Sequence, residues 1–391
     1  MKLDSKSRTL DLDPRDPAFV QDPARVYVRL LADCPAFYWV QRRQWCFADH
    51  ASVNFILRSR RFGRKPDGGF GFCPAAATPA FDAFSAHSFL EREGADHARL
   101  RGLVAALFHK RRTRARAGEM ARLAHELIDR MLARGAAELQ ADFATPLAVI
   151  TIGEIMGVEP QHGQRIAALG HRMIRRYVAA CDEAAAQDAE QAAAEFAALI
   201  PTLAEAAPAE SGLALLGQAR TEGKISDDEM TATAMLLLTA GHEALTFAFG
   251  NVVKLFLTLG IRAGIMPGHI EEALRLAPPM HLFTRHALKE VTIADVTLKA
   301  GESVGLVLAA AHLDPRRFPD PLRFNPGRGP NPHLAFSAGV HFCLGAPLAR
   351  LELQTALPVL FQRLPALRLA RPATLADLYH LHGLTRLDVT W

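Results

Sequence analysis

Apolar residues recur at helical spacing through most of the stretch from His97 to about Leu257. Alanine-rich, charged segments at 117–132 and 184–199 are amphipathic and strongly helix-favouring. One helix start is unusually legible: Ser226-Asp227-Asp228-Glu229 is a capping box, with Ser226 at the N-cap and Glu229 three residues on. The pattern predicts one helix running from there to about Leu257, some 45 Å long at about 1.5 Å per residue. Its middle holds Ala240-Gly241, small residues beside which a flat, bulky group can lie. A helix is expected over 24–31, followed by short β-like stretches at 36–40 and 45–48 that can pair as a hairpin. Residues 62–79, rich in Gly, Pro, Phe and Ala, read as a long irregular loop, and loops of that length are often functional. After Pro278, 291–293, 296–298 and 303–308 predict a small antiparallel sheet, with a turn at Ala300-Gly301. Pro-rich coil (314–332), a last helix (346–364) and β-like pieces at 367–369 and 387–390 complete the chain. The class is mainly α with a minor β region, in a single domain over 1–391.

Composition narrows this only a little. Half of the 391 residues are hydrophobic, enough for a large core, and the net charge of +4 does not mark a nucleic-acid binder. The polar N-terminus reads as neither signal peptide nor anchor, and no uninterrupted apolar run reaches the roughly 18–20 residues that span a bilayer. The five cysteines (34, 46, 73, 181 and 343) are scattered and odd in number, with no metal or redox spacing and no disulfide framework. A reduced, cytoplasmic protein is expected. The most basic run, from His109 to Arg116, is either a solvated helix end or a surface that steers an acidic partner.

The segment with the sharpest chemistry is Phe336-Ser-Ala-Gly339-Val-His341-Phe-Cys343-Leu-Gly345. A cysteine just upstream of a helix N-terminus feels unpaired N–H groups and the positive dipole end, which favour thiolate over thiol. The glycines let backbone and a flat ligand approach the sulfur. A thiolate is also the haem ligand that pushes electron density onto iron. The plain alternative is a buried structural cysteine.

This FxxGxHxCxG pattern, followed by Ala346-Pro-Leu-Ala-Arg-Leu-Glu352, resembles the haem-binding loop of the cytochrome P-450 superfamily, soluble bacterial class. Further segments follow in the family's order. Asp96-His97-Ala-Arg-Leu-Arg101 is similar to a helix whose His and Arg hold haem propionates, and Arg285 and His341 match two more propionate partners. Ala240-Gly241-His242-Glu243 resembles the oxygen-activating stretch, Glu272-Ala-Leu-Arg275 the ExxR helix, and 314–328 the segment whose Arg328 completes a Glu–Arg–Arg core. The resemblance implies the cytochrome P-450 fold, haem b with Cys343 as axial ligand, and insertion of one dioxygen atom into a small, mostly apolar substrate. It implies electrons from a ferredoxin and ferredoxin reductase, with neither nucleic acid nor membrane as partner. Glu243 organises proton delivery in this reading, with Thr246 nearby. Phe89, Leu237, Ala240, Gly241, Ala244, Leu282 and Phe283 are the implied substrate pocket, which a Phe-rich segment (Phe70, Phe72, Phe81, Phe84) either caps or merely packs beside.

Three departures stand out. Ala244 occupies the position where the family usually has a threonine whose hydroxyl assists proton delivery. Ser337 replaces a common glycine. The stretch from Gly250 to Glu272 is short, so the helix that usually connects there should be truncated. Ala244 keeps open a peroxide-driven or non-hydroxylating haem-thiolate enzyme, and a haem-binding sensor or sequestering protein without turnover is the rival of another class.

Overall fold

A computed structural model describes residues 1–64, 78–177, 181–376 and 379–391, so Phe70 and Phe72 lie outside the described residues. The chain divides into two compact units. One comprises Met1–Lys65, Asn251–Cys343 and Ala373–Arg386; the other comprises Pro66–Gly250, Leu344–Pro372 and Leu387–Trp391.

The first unit carries the main sheet. Strands Ala36–Trp39 and Gln44–Phe47 pair antiparallel, Trp39 opposite Gln44, with Arg43 in the left-handed region at the turn. Contrary to the small sheet that the pattern predicts, strand Ser303–Val307 does not join the 291–298 hairpin. It runs parallel to Gln44–Phe47 on one side and antiparallel to Leu282–Ala287 on the other, inside a seven-stranded sheet. Its run of buried Val304, Gly305, Leu306 and Val307 explains the choice, because a strand covered on both faces belongs inside a sheet. Val291–Ile293 and Val296–Leu298 form their own two-stranded ribbon, closed by Ala294 and Asp295 at positive φ, the combination a tight type I′ turn requires. Helices Ala24–Asp33 and His50–Arg58 flank the sheet in sequence, the second started by Asp49, which accepts from Ser52 N at 2.8 Å.

The second unit is helical. Helix Ala117–Leu132 buries Met120, Leu123, Ala124, Leu127, Ile128 and Met131, a stripe at three- and four-residue intervals. Glu183–Ala206 starts at the N-cap Asp182, and helix Pro79–His87, which carries Phe81 and Phe84, begins at the last residue of the 62–79 segment read as loop. The Ser226 capping box forms, Ser226 N to Glu229 at 3.1 Å and Glu229 N to Ser226 Oγ at 3.1 Å. The helix it opens is not continuous. It runs Asp227–Ala240, breaks in a turn at Gly241-His242, and resumes as Glu243–Leu259. Counted across that turn the stretch is long and apolar enough to cross a membrane, but 78% of its apolar window is buried within the protein. In the first unit, between Leu259 and Pro267, where the next helix (Pro267–Leu276) begins, no helix intervenes. The C-terminal helix Ala346–Arg363 starts at Gly345. Of the described cysteines, Cys34 and Cys46 are buried thiols and Cys343 is exposed; Cys181 is disulfide-bonded, contrary to the expectation of a reduced set.

Candidate functional site

In the first unit the Cys343 loop is pinned from behind. Cys343 N donates to Phe336 O at 2.9 Å, and Phe342 N to Gly339 O at 3.1 Å, closing the turn Gly339–His341. Gly339 has φ +73°, and a Cβ there would stand 2.3 Å from the backbone oxygen of Leu57, so both conformation and space require glycine. The loop turns its cysteine outward: Cys343 is exposed, flanked by Val340 and Phe342 at 54% and 42% exposure. A thiol amid exposed apolar side chains is not a structural core cysteine. Ser337 sits at φ +62° with its Oγ buried and without a hydrogen-bond partner. Left-handed backbone and an unmet hydroxyl are each unfavourable for serine. Ser337→Gly is therefore expected to raise stability by about 1 kcal/mol, read as a higher denaturant midpoint at unchanged slope.

Behind the loop, Glu272 is completely buried and held from four sides. Arg275 Nε and Nη2 donate to its two oxygens at 2.8 and 2.7 Å. Arg328 Nε straddles both oxygens at 3.1 and 3.2 Å, Asn325 N donates at 3.0 Å and Asn331 Nδ2 at 3.0 Å. Burial alone would raise the Glu272 pKa, but Arg275 above all brings it below the usual carboxylate value. Arg275 also donates to the carbonyls of His312 and Pro321 at 2.8 and 2.7 Å. Sequence reasoning missed His312. Its Nδ1 bonds Arg275 O at 3.0 Å and its Nε2 accepts from Leu334 N at 2.8 Å, which ties the cluster to the start of the cysteine loop. Only the pairing across 37 and 22 residues reveals this, and no local motif signals it. Arg285, on strand Leu282–Ala287, is buried, donates to Thr284 O at 2.9 Å and lies 5.7 Å over Phe283; His341 is partly exposed. Leu282 packs in the apolar core with Tyr27, Trp39 and Val307, while Phe283 is partly buried.

The second unit holds the remaining predicted residues. His97 and Arg101 lie four apart on helix Gly94–Ala105, hence on one face; His97 is buried, with Phe89 edge-on at 6.3 Å. Leu237 belongs to the core, whereas Ala240 is exposed. Gly241 is a packing residue here: a Cβ would meet Ile152 Cγ1 at 2.4 Å and Leu237 O at 2.7 Å. Ala244 and Thr246 are partly exposed, and the Thr246 hydroxyl has no partner, not even the carbonyl of the preceding turn that a mid-helix threonine commonly bonds. Glu243 is buried between two imidazoles, His242 Nε2 at 3.3 Å and His171 Nδ1 at 3.6 Å. Burial acts to raise the Glu243 pKa, yet the two histidines hold it at about 2. His171, whose side chain is 56% exposed, is raised by Glu243.

A family model described as cytochrome P-450 matches residues 265–367, from the ExxR helix through the cysteine loop into the last helix. The mycinamicin IV hydroxylase/epoxidase of Micromonospora griseorubida is 37% identical over 77% of this chain and 79% of its own length. Nocardicin C N-oxygenase of Nocardia uniformis subsp. tsuyamanensis is 34% identical over 93% and 90%.

The chain belongs to the cytochrome P-450 family.

The fold agrees: the crystal structure of P-450BioI in complex with acyl carrier protein carrying hexadec-9Z-enoic acid superposes with a TM-score of 0.88, at 29% identity over 96% of this chain and 100% of that one. As a cytochrome P-450 the protein binds haem b with its iron and is a monooxygenase that places one atom of dioxygen in an organic substrate. The residues present fit that cofactor. The exposed thiol offers a soft anionic ligand, and in the same unit Val340 and Phe342 offer exposed apolar surface and Arg285 a buried cationic side chain.

Proposed function

We propose that the Cys343 thiolate would hold the haem iron, that His97, Arg101, Arg285 and His341 would hold the propionates, and that Glu243 manages the proton supply. The observation that carries this reading is the pinned loop that turns Cys343 outward among exposed apolar residues. Haem, when bound, would supply dioxygen activation, and a thiolate ligand suits that chemistry. The protein's residues do the rest. Two anionic propionates call for several hydrogen-bond donors, and the four named residues, two of them arginines, would provide them. Glu243, ionised at any working pH, accepts and passes protons through ordered water rather than storing one. Protons enter from the solvent side at His171.

The substrate is a small, mostly apolar molecule, oxidised in the cytoplasm with electrons from a ferredoxin and its reductase. Helix Lys110–Ala115 supports the ferredoxin. Arg112 is engaged with Glu210 O at 2.9 Å, and Arg116 with Glu119 and Glu154. Lys110, Arg111 and Arg114 are exposed and make no ion pair among the described residues. Such a patch raises encounter rates with an acidic partner. Reversing all three charges is expected to lower the rate of reduction by a surrogate ferredoxin about 10- to 100-fold at low salt and little at high salt. Stopped-flow reduction across ionic strength checks this; an unchanged rate at low salt contradicts it. Ala244 favours one rival, a peroxide-driven enzyme. Turnover with hydrogen peroxide alone, and none with NADH and the ferredoxin pair, would establish that rival.

A further inference from the structure

A buried cation in the second unit has no counter-charge among the described residues. Arg176 lies in the turn Arg175–Tyr177 that follows helix Gly163–Ile174 and is only 8% exposed. Its Nη2 donates to Thr78 Oγ1 at 3.2 Å, and the guanidinium lies 5.7 Å over the ring of Phe81. Its Nε and Nη1 are buried without a hydrogen-bond partner, and no carboxylate pairs with it among the described residues. The contrast with Arg172 on the preceding helix is sharp, because that side chain is met by Asp188 at 2.8 Å.

Carboxylates nearby are already committed. Both oxygens of Glu190 cap helix Pro79–His87, accepting from Ala80 N and Phe81 N at 2.9 Å each, and Asp82 accepts from Thr78 Oγ1 at 3.1 Å. On that same helix Ser85 lies four residues beyond Phe81, hence on its face, and its Oγ is also buried and unpartnered. The surroundings are apolar: Phe81 stacks edge-on with Phe84 at 5.7 Å and with Tyr177 at 5.6 Å. A desolvated guanidinium is unfavourable by several kcal/mol unless an anion compensates it. The unmet groups can all donate hydrogen bonds, so a cation or a neutral acceptor-poor ligand does not answer them.

We propose that Arg176, assisted by the Ser85 hydroxyl, binds a carboxylate carried by the substrate, whose apolar body packs on the Phe81, Phe84 and Tyr177 rings. The substrate class is then an apolar molecule with an anionic end. This rests on the monooxygenase reading, and the test separates the two.

Hexadecanoate and its methyl ester are titrated into the haem-loaded protein, read both by the spin-state change of the Soret band and by thermal shift. The wild type is expected to prefer the acid by about 10- to 100-fold, the range for a hydrogen-bonded charge. Arg176→Met removes the preference, and Arg176→Lys keeps part of it. Without ligand, Arg176→Met melts at the same or a higher temperature than the wild type, because it removes an uncompensated charge; a merely structural arginine would lower it. Acid and ester binding alike, no response to either, or an Arg176→Met protein that melts lower with its preference intact overturns the proposal. A haem signal without thiolate character would strike the monooxygenase reading instead, while the thermal shifts would still decide the role of Arg176.

Discussion

Glu272→Ala is expected to lower stability by about 3 to 5 kcal/mol and to yield protein that folds poorly or fails to retain haem. The glutamate receives six hydrogen bonds from Arg275, Arg328, Asn325 and Asn331 in a site with no solvent access. Removing it leaves two guanidiniums without their anion, one wholly buried, and breaks the anchor of the 325–331 segment. Through His312 the same loss reaches Leu334, from which the cysteine loop departs. Glu272→Gln keeps the shape but not the charge and should lie between the two. Denaturant unfolding and haem content measure the effect; a variant as stable and as haem-rich as the wild type would show that the cluster does not hold the loop.

The second large effect belongs to Glu243. Glu243→Gln is expected to slow product formation by about 10²- to 10⁴-fold, the contribution of a positioned proton-transfer group, whereas Thr246→Val should change it by only a few-fold. Residue 244 has no hydroxyl, and Thr246 lies about 200° further around the helix axis. The pH dependence follows from the charges. Glu243 is depressed from 4.5 to about 2, so its stabilising interaction is present above 4.5 and is lost as pH falls toward 2. His171 is raised above 6.5, so its share is complete below 6.5 and disappears as pH rises through its folded value. The pair therefore stabilises the fold most between about pH 4.5 and 6.5. The Tm difference between wild type and His171→Gln should be largest in that window and vanish in alkali. Coupling of NADH consumption to product should also improve for substrates with a hydroxyl or carboxylate near the oxidised carbon. Equal coupling across matched substrates, with an unaffected Glu243→Gln variant, would remove Glu243 from proton supply.

Much of this was legible where the controlling interactions are local. The capping box at Ser226, the stripe of helix Ala117–Leu132 and the hairpin 36–47 depend on neighbours in sequence, and each formed as the pattern predicts. Long-range choices were not legible. Ser303–Val307 joined Gln44–Phe47, some 250 residues earlier, and nothing in its own residues names that partner. The break at Gly241-His242 is invisible to periodicity because the apolar spacing continues through it, and the fit of Gly241 against Ile152 is a tertiary fact. Helix Pro79–His87 was hidden by the Gly/Pro/Phe-rich composition before it. Cys343, Glu272 and Arg275 could be named from motifs, but His312, Asn331 and the unmet Arg176 emerge only when distant segments meet.

The central claim is that the sulfur of Cys343 binds the haem iron, and the absorption spectrum of the reduced carbon monoxide complex tests it most directly. The wild type should show the strongly red-shifted Soret band of thiolate ligation, and Cys343→His should lose that band even where haem remains bound. An unaltered band in Cys343→His would contradict the account.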